Sequence, residues 1–310
     1  MTLPRPSARR ALPWFCNLLS LLGLFLATTT LAQNGVRHIH QERSLYRNII
    51  VTEDSQRRCM RFTITDRRGQ NQSCRYLDNH DRLVFPYAKM VLTSLLVHDA
   101  PSRILIVGLG GGTLVHTYHA LFPEAEIDIV EIDTAVIDVA ERFFDFRESE
   151  HIQVEAVDAR VFIKRAGLRG EQYDLVILDA FNGEYIPEHL MTQEFLEETK
   201  ALLPADGMVV ANTFSTSRLY DAESATYSAV FGQFYNVRMF GTGNRIIIAT
   251  LQPLPTPEQL EQRAPAFKER LARFGFDITE MTQHMTLEPD WDTDARLLTD
   301  QYAPANLLNN

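Results

Sequence analysis

A glycine-rich turn between two predicted elements is the strongest chemical signal in the sequence. The apolar residues 104–107 predict a buried strand, and Gly108, Gly110 and Gly112 follow it before a helical pattern begins. Glycines here let the backbone approach a ligand where a Cβ would collide. Glu131 ends the next predicted strand, 21 positions after Gly110, which is close to the spacing of an acid that binds ribose hydroxyls. The pattern predicts a nucleoside site, and the alternative is a tight turn beside a solvated Glu131.

Two further acids follow predicted strands in the same way. Asp158 follows the predicted strand 152–156 after one residue, and Asp179 comes directly after the predicted strand 174–178. Because ligands bind at the carboxyl ends of parallel strands, we expect both acids to lie near Glu131 at one edge of a sheet. Asp158 could accept a hydrogen bond from an adenine amino group, with Ala159 leaving room for the ring. The alternatives are a helix N-cap for Asp158 and solvated turns for the acids.

The loop that begins at Asp179 has the composition of a lid. Residues 179–187 contain a glycine, a proline and two aromatic residues. Such a segment could close over a site at the strand ends. The alternative is an ordinary connection between a strand and a helix.

The order of the predicted elements indicates an α/β fold. From residue 103 onward, buried apolar strands alternate with helical patterns, which predicts a parallel sheet wrapped by helices. Before it, residues 37–79 predict a small β unit and residues 86–98 a helix. Residues 237–240 and 245–251 could close the large sheet as a hairpin, and a further helix is predicted near 258–274. We therefore divide the chain into residues 1–32, 37–98 and 99–310.

The N-terminal segment has the layout of a secretory signal. Arg5, Arg9 and Arg10 precede a charge-free stretch over residues 11–36. The small residues Thr30 and Ala32, on either side of Leu31, resemble a cleavage site. The apolar part is short for a membrane span, which needs about 20 residues. The alternatives are an uncleaved anchor and a buried helix. We expect an exported protein that is periplasmic or membrane-anchored.

Two cysteines of the body could form a disulfide. Cys59 and Cys74 flank an alternating run and a turn signal near Arg67, so a hairpin would bring them nearly opposite each other. A bridge would suit an oxidising compartment. The alternative is two unrelated thiols.

The composition limits the classes of partner. The chain has 310 residues, a formal net charge of −10 and 45% hydrophobic residues. This length is enough for one sizeable core with a small additional domain. The negative net charge argues against a nucleic-acid backbone as a partner. An acidic surface would tolerate cationic ligands such as amines.

These motifs together resemble the spermidine synthase family, the polyamine aminopropyltransferases, and in particular its divergent spermidine synthase-like bacterial branch. The similarity lies in residues 107–113, 131–133, 157–159 and 178–187, in the small β unit, and in the tail at 298–304. The resemblance implies a Rossmann-like fold of the S-adenosylmethionine-dependent methyltransferase type with a small N-terminal β domain. It also implies transfer of an aminopropyl group from decarboxylated S-adenosylmethionine to putrescine.

The resemblance also implies roles for individual residues. The adenosyl part would be held by Gly108, Gly110, Glu131, Asp158 and Ala159, with S-adenosylmethionine or its decarboxylated form as a co-substrate. The active loop would contribute Asp179, and the helix at residue 86 would contribute Tyr87. No metal and no permanently bound cofactor are expected, while a homodimer and a membrane anchor remain open.

Several positions depart from the family pattern. Thr113 stands where the glycine loop usually continues with Asp. Lys89 stands where the family has Glu, and its charge would repel a diamine rather than attract it. Asn182 occupies the position of the family's second loop Asp, which acts as the base, and an amide cannot take a proton from an amine. The family's late proline-rich stretch is missing near residues 241–244. Adenosyl binding is therefore expected to be retained, whereas diamine recognition and base catalysis are compromised.

Three functions remain open from the sequence. The first is an aminopropyltransferase with an altered amine substrate. The second is a methyltransferase or another S-adenosylmethionine-dependent transferase on the same fold. The third is a non-catalytic binding protein, which export would favour because adenosyl sulfonium donors are made in the cytosol.

Overall fold

The computed structural model of the protein describes residues 35–62, 71–181 and 185–303. The predicted signal or anchor, the turn near Arg67 and Asn182 lie outside these residues. Within the described part, no helix has both the length and the apolar character needed to cross a membrane. The small and the large sheet belong to one compact unit, Gly35–Asn310.

The small β unit is a four-stranded antiparallel sheet with the order β1-β2-β3-β4. Its strands are β1 Arg37–Arg43, β2 Asn48–Glu53, β3 Arg57–Arg61 and β4 Asn71–Tyr76. Ile49, Val51 and Met60 are fully buried and pack against Val136 and Val139. This apolar contact fixes the small sheet beside the large one.

The large sheet has eight strands in the order β12-β10-β11-β9-β8-β5-β6-β7. The strands β5 to β9 are parallel to their neighbours within this group, and β11, β10 and β12 continue the sheet in antiparallel pairs. Their bounds are β5 Arg103–Val107, β6 Glu126–Glu131, β7 Ile152–Ala156, β8 Leu175–Leu178, β9 Met208–Phe214, β10 Tyr235–Val237, β11 Asn244–Thr250 and β12 Met285–Thr286. The chain adds strands on one side of β5 and then on the other, so the edge above β5 is where a ligand is expected.

Helices cover both faces of the large sheet. They are α1 Pro86–Val91, α2 Thr113–Leu121, α3 Thr134–Phe143, α4 Ala159–Arg169, α5 Gln193–Lys200, α6 Tyr220–Phe231, α7 Pro257–Arg263 and α8 Lys268–Ala272. In β5, Ile104 and Ile106 pack on one face, whereas Leu105 and Val107 pack on the other with α4, α5 and α6. This alternation is the expected pattern of a strand buried on both faces. The predicted α/β architecture is confirmed.

Three element predictions needed correction, and one helix was missed. The helix predicted at 86–98 is α-helical only over α1 and continues as the 3-10 helix Leu92–Leu96. The helix predicted at 258–274 is divided into α7, the 3-10 turn Ala264–Phe267 and α8, because Pro265 cannot continue an α-helix. The strand predicted at 237–240 ends at Val237. Helix α6 was missed because it is buried on most sides, with Glu223, Ser224 and Thr226 inside, so it shows no amphipathic pattern.

The disulfide hypothesis is correct. Cys59 on β3 lies opposite Cys74 on β4, and the two are joined by a bridge with a Cα–Cα distance of 4.1 Å. The bridge is buried, and it joins β3 to β4 within the small sheet.

Removing this bridge is expected to destabilise the protein. The half-cystines are 15 residues apart in sequence, and a loop of this size corresponds to about 3 kcal/mol of unfolding free energy in the chain-entropy model. Denaturant unfolding of Cys59→Ser/Cys74→Ser against the oxidised protein measures the difference. Reductant should destabilise only the parent protein. Two alkylated thiols in unreduced protein from an oxidising compartment would contradict the bridge.

Candidate active site

A cavity of about 280 Å³ lies at the carboxyl ends of the parallel strands. Seven of the nine predicted site residues line it: Tyr87, Gly108, Gly110, Glu131, Asp158, Ala159 and Asp179. The tertiary structure therefore brings together residues from β5, β6, β7, β8 and their following turns, as the strand-end argument predicted. The described residues contain no group of three or more His, Cys, Asp or Glu side chains placed to hold a metal ion.

The glycine turn brings the backbone of β5 very close to that of β8. Gly108 has a φ of +101°, and a Cβ built on it would lie 2.4 Å from the carbonyl oxygen of Asp179. Gly110, with a φ of +53°, lines the cavity. Gly112 does not line the cavity. It precedes α2 in the left-handed conformation, and a Cβ there would meet the ring of His116 at 3.3 Å. Its position fits a structural role in starting the helix rather than the predicted ligand contact.

Glu131 is held in place by the turn that it faces. Its carboxylate accepts hydrogen bonds from the backbone N–H of Leu109 at 3.2 Å and of Asp133 at 3.0 Å, and it is 8% exposed. Burial raises the pKa of Glu131, whereas the two backbone hydrogen bonds act in the opposite direction. A carboxylate has about four lone-pair positions, so two are left for ligand hydroxyls.

Replacing Glu131 by alanine is expected to weaken adenosyl-ligand binding by about 1.5–3 kcal/mol, the range for hydrogen bonds to a charged group. Calorimetry with methylthioadenosine measures the change. Glu124→Ala is the matched control, because Glu124 is exposed ahead of β6 and does not line the cavity. Unchanged affinity in a folded Glu131→Ala variant would show that Glu131 does not bind the ligand.

Asp158 is both a helix N-cap and a residue of the cavity wall. It is the N-cap of α4, accepting a hydrogen bond from the Val161 N–H at 3.0 Å, and it also lines the cavity beside Ala159. Its other oxygen lies 2.8 Å from Nε2 of His189, a cavity residue that the sequence reasoning missed. The two side-chain oxygens of Asp158 thus contact the start of α4 and the ring of His189.

Asp179 lies at the centre of a hydrogen-bonded chain. One carboxylate oxygen accepts from Nδ2 of Asn212 at 2.8 Å, and the other accepts from the Tyr87 hydroxyl at 3.3 Å. Asn244 in turn donates to Oδ1 of Asn212 at 3.0 Å. Burial raises the pKa of Asp179 to about 7, although the bonds from Asn212 and Tyr87 favour its charged form. This carboxyl group can therefore exchange a proton near neutral pH.

The two asparagines of this chain were not predicted. Asn212 follows four apolar residues on β9, and Asn244 begins β11. A polar side chain at position 212, next to a buried run, was the signal that could have indicated the site. Antiparallel pairing of β9 with β11 brings the second asparagine next to it.

Two of the departures from the family pattern have different structural outcomes. Thr113 lines the cavity, and its hydroxyl lies 3.3 Å from that of Ser73. Lys89 does not line the cavity. Its ammonium donates to the Gly275 carbonyl at 3.2 Å, and burial together with the charge of Arg82 lowers its pKa. The expectation that Lys89 would repel a diamine in the site is therefore wrong, because its side chain is bonded outside the cavity wall.

The predicted lid is described at its two ends. Ala180, Phe181 and Pro187 line the cavity. The residue predicted at the base position, Asn182, lies outside the described residues, so its role stays a prediction.

With this geometry established, comparisons with known proteins identify the family. The model of the spermine/spermidine synthase domain matches residues 84–239. The chain is 51% identical over 294 residues to a polyamine aminopropyltransferase of Vibrio vulnificus, which covers 94% of this chain and 97% of that protein. The chain belongs to the spermine/spermidine synthase family. The predicted class of enzyme, a transferase, is confirmed.

Solved structures support the same fold. Human methyltransferase-like protein 13 in complex with SAH is 27% identical, with a TM-score of 0.55, and the match covers 70% of this chain and 99% of that one. A probable spermidine synthase from Corynebacterium glutamicum is 20% identical, with a TM-score of 0.62 and coverage of 83% and 98%. The fold of this family member is thus the methyltransferase-type fold that the motifs predicted.

Proposed function

We propose that the protein is a spermidine synthase-like aminopropyltransferase that binds an S-adenosyl sulfonium donor in the cavity and transfers a group from it to a small amine. The observation that carries the proposal is the position of Asp179, a carboxyl group with a pKa near 7, in the same cavity as Glu131 and Asp158. The donor, S-adenosylmethionine or its decarboxylated form, would bind as a co-substrate.

The adenosyl part would occupy the side of the cavity formed by β5, β6 and β7. Glu131 would accept hydrogen bonds from the ribose hydroxyls, and Asp158 with Ala159 would bound the adenine. Gly108 and Gly110 would allow the donor chain to cross the turn without meeting a Cβ. This arrangement would direct the sulfonium towards Asp179 at the end of β8.

The chemistry on this side of the cavity consists of positioning and proton transfer. The neutral amine attacks the carbon beside the sulfonium, a nitrogen–carbon bond forms, and the carbon–sulfur bond breaks with its electron pair going to sulfur. The nitrogen then loses a proton, which Asp179 can accept directly or through water. Tyr87 and Asn212 would hold the carboxylate in place for this step.

A small polyamine precursor such as putrescine is the proposed acceptor. Two findings support an amine: the Vibrio vulnificus relative is a polyamine aminopropyltransferase, and Asp179 supplies a carboxylate for a cation at the end of β8. Asn182 stands at the position of the family's base, and its amide cannot accept a proton. The proton-accepting role therefore falls to Asp179.

Methyl transfer is the second candidate, and one observation favours it. The human relative that shares the fold at 27% identity is a methyltransferase-like protein solved with SAH. A site of the same type could therefore serve attack on the methyl carbon of the donor.

Product analysis separates the two functions. Purified protein is incubated with putrescine and either decarboxylated S-adenosylmethionine or S-adenosylmethionine, and the products are measured by mass spectrometry. Methylthioadenosine with an aminopropylated amine supports the first function, whereas SAH with a methylated amine supports the second. If calorimetry detects no binding of any adenosyl ligand, both proposals are wrong.

We also propose that the N-terminal segment directs export, as a cleaved signal or as an anchor. The basic, apolar and small residues in order over residues 5–32 support this, as does the Cys59–Cys74 bridge. Cell fractionation with determination of the mature N-terminus tests it, and an intact N-terminus in the cytosol would contradict it.

A further inference from the structure

The C-terminal strap, residues 298–302, is bonded to the segment that begins α5, and the proposed function does not use it. Leu298 is fully buried, and its carbonyl accepts from the Gln193 N–H at 2.8 Å. Asp300 accepts from the hydroxyl of Thr192, the N-cap of α5, at 2.8 Å. The end of the chain is therefore fixed to a buried part of the large domain.

Arg160 joins the strap to the start of α4. It is the second residue of that helix, directly after Asp158 and Ala159, and its side chain is 11% exposed. Its Nη1 and Nη2 donate to the two carboxylate oxygens of Asp300 at 2.5 and 2.8 Å, and Nε and Nη2 donate to Glu198 on α5 at 2.7 and 2.8 Å. Such two-point pairing fixes the direction of the guanidinium as well as its position.

The same guanidinium also reaches the segment that follows the predicted lid. The 3-10 turn Glu188–Leu190 lies there, and His189 and Leu190 line the cavity. Nη1 of Arg160 donates to the carbonyl of His189 at 3.5 Å, and the His189 ring in turn lies 2.8 Å from Asp158. Arg160 therefore connects the two pieces of chain that carry Asp158 and His189.

Arg160 and Asp300 lie behind the cavity wall. Neither residue lines the cavity, whereas Asp158, Ala159 and His189 do. All five N–H donors of the guanidinium have acceptors among the described residues, so none is left for a ligand. The hydrogen bonds from Arg160 lower the pKa of Asp300, so its carboxylate is charged at neutral pH. Any effect of this pair on a ligand must pass through the residues of the wall.

We propose that Arg160 and Asp300 are positioning residues that hold Asp158 and His189 in the arrangement that binds the adenine of the donor. This inference rests on the proposed function, because it requires an adenosyl ligand in the cavity. It gives the C-terminal strap a part in donor affinity. The side chain of Asp179 is held by Tyr87 and Asn212 instead, so the strap should affect donor binding and not proton transfer.

Calorimetry on the full chain with methylthioadenosine tests the inference, with Asp300→Asn as the variant. The substitution keeps the shape of the side chain but removes the charge that pairs with Arg160. The affinity should fall about 10-fold, as for the loss of one hydrogen bond to the ligand. In the transfer assay, the KM for the donor should rise by a similar factor while kcat stays the same. A pair that only stabilises the fold would leave both quantities unchanged in the folded protein.

Asp290→Asn is the matched control. Asp290 also follows β12, pairs with Arg238 and accepts from the Tyr220 hydroxyl at 2.6 Å, but it does not contact the cavity wall. This variant should lose unfolding free energy and still bind methylthioadenosine as the parent protein does.

Two further variants test the route through the wall. Arg160→Lys should also weaken methylthioadenosine, because an ammonium group cannot make the two-point pairs, and it serves in place of Asp300→Asn if that variant does not fold. In a His189→Ala background, Asp300→Asn should weaken the ligand less than it does in the parent protein, since the two residues act on the same contact.

The opposite results overturn the inference. Unchanged methylthioadenosine affinity in folded Asp300→Asn and Arg160→Lys would show that the pair is only structural. Equal weakening in Asp290→Asn would indicate general loosening of the fold, and a fall in kcat without a change of affinity would place the effect on the chemistry. Failure of the proposed function is distinct, because methylthioadenosine would then not bind to the parent protein at all.

Discussion

Replacing Asp179 by asparagine is expected to lower the turnover number of group transfer about 100-fold or more, the usual contribution of a general base. The substitution keeps the shape of the side chain and its place between Tyr87 and Asn212, but the amide cannot accept the proton. Steady-state kinetics with the donor and the amine identified by product analysis measure the loss.

The pH dependence of the transfer rate should reflect the ionisation of Asp179. Because Asp179 has a pKa of about 7 in the folded protein, the rate should rise with pH and level off above about 7 as the carboxylate forms. The effect on stability has the opposite direction. The folded pKa lies above the unfolded value of about 3.9, so the stability that the protonated group contributes is present below that value and is lost as the pH rises through about 7. Asp179→Asn should remove this part of the pH dependence of unfolding.

Binding measurements separate catalysis from folding in this variant. Methylthioadenosine should bind to Asp179→Asn as it does to the parent protein, because the contacts proposed for the adenosyl part come from Glu131 and Asp158 and not from Asp179. Tyr87→Phe should cause a smaller loss, since it removes one hydrogen bond to the carboxylate and leaves the proton acceptor. Full turnover in Asp179→Asn would show that another group, such as a loop residue or water, takes the proton.

Replacing Gly108 by alanine is expected to abolish adenosyl binding and transfer together. The φ of +101° alone costs a residue with a side chain about 1–3 kcal/mol. The new Cβ would also lie 2.4 Å from the carbonyl oxygen of Asp179, so the ends of β5 and β8 would have to separate. Because the two strands carry the turn and the candidate base, the displacement affects both binding and chemistry.

Gly170→Ala is the matched control for this prediction. Gly170 also has a positive φ, +69°, but a Cβ there would have no atom within 4 Å. The Gly170→Ala variant should therefore lose about as much unfolding free energy from its backbone conformation as Gly108→Ala does. It should still bind methylthioadenosine. Equal loss of ligand affinity in the two variants, measured by calorimetry, would show that the close approach of Gly108 to Asp179 is unimportant.

The sequence alone determined the fold class and one side of the site. Buried apolar runs alternating with helices require a parallel sheet, and the carboxyl ends of parallel strands meet at one edge. A glycine turn after β5 and acids after β6, β7 and β8 must therefore converge. Glu131, Asp158 and Asp179 could be found in this way because each lies at the end of its strand or within two residues of it. The cysteine pair was also predictable, since a short hairpin brings near neighbours opposite each other.

Only the tertiary structure decided which other side chains enter the cavity. Arg47 reaches Phe181 across 134 positions of sequence because the small sheet packs beside the large one, and Asn244 reaches Asn212 across 32 because β9 pairs with β11. No local pattern encodes either contact. Lys89 is a motif residue whose side chain stays out of the cavity. The motif determines its position on α1 but not the direction of its long, flexible side chain, which donates a hydrogen bond to the Gly275 carbonyl. Periodicity fixes the local element and its buried face. Long-range packing and hydrogen bonding fix the partners, and the partners decide which polar groups face a ligand.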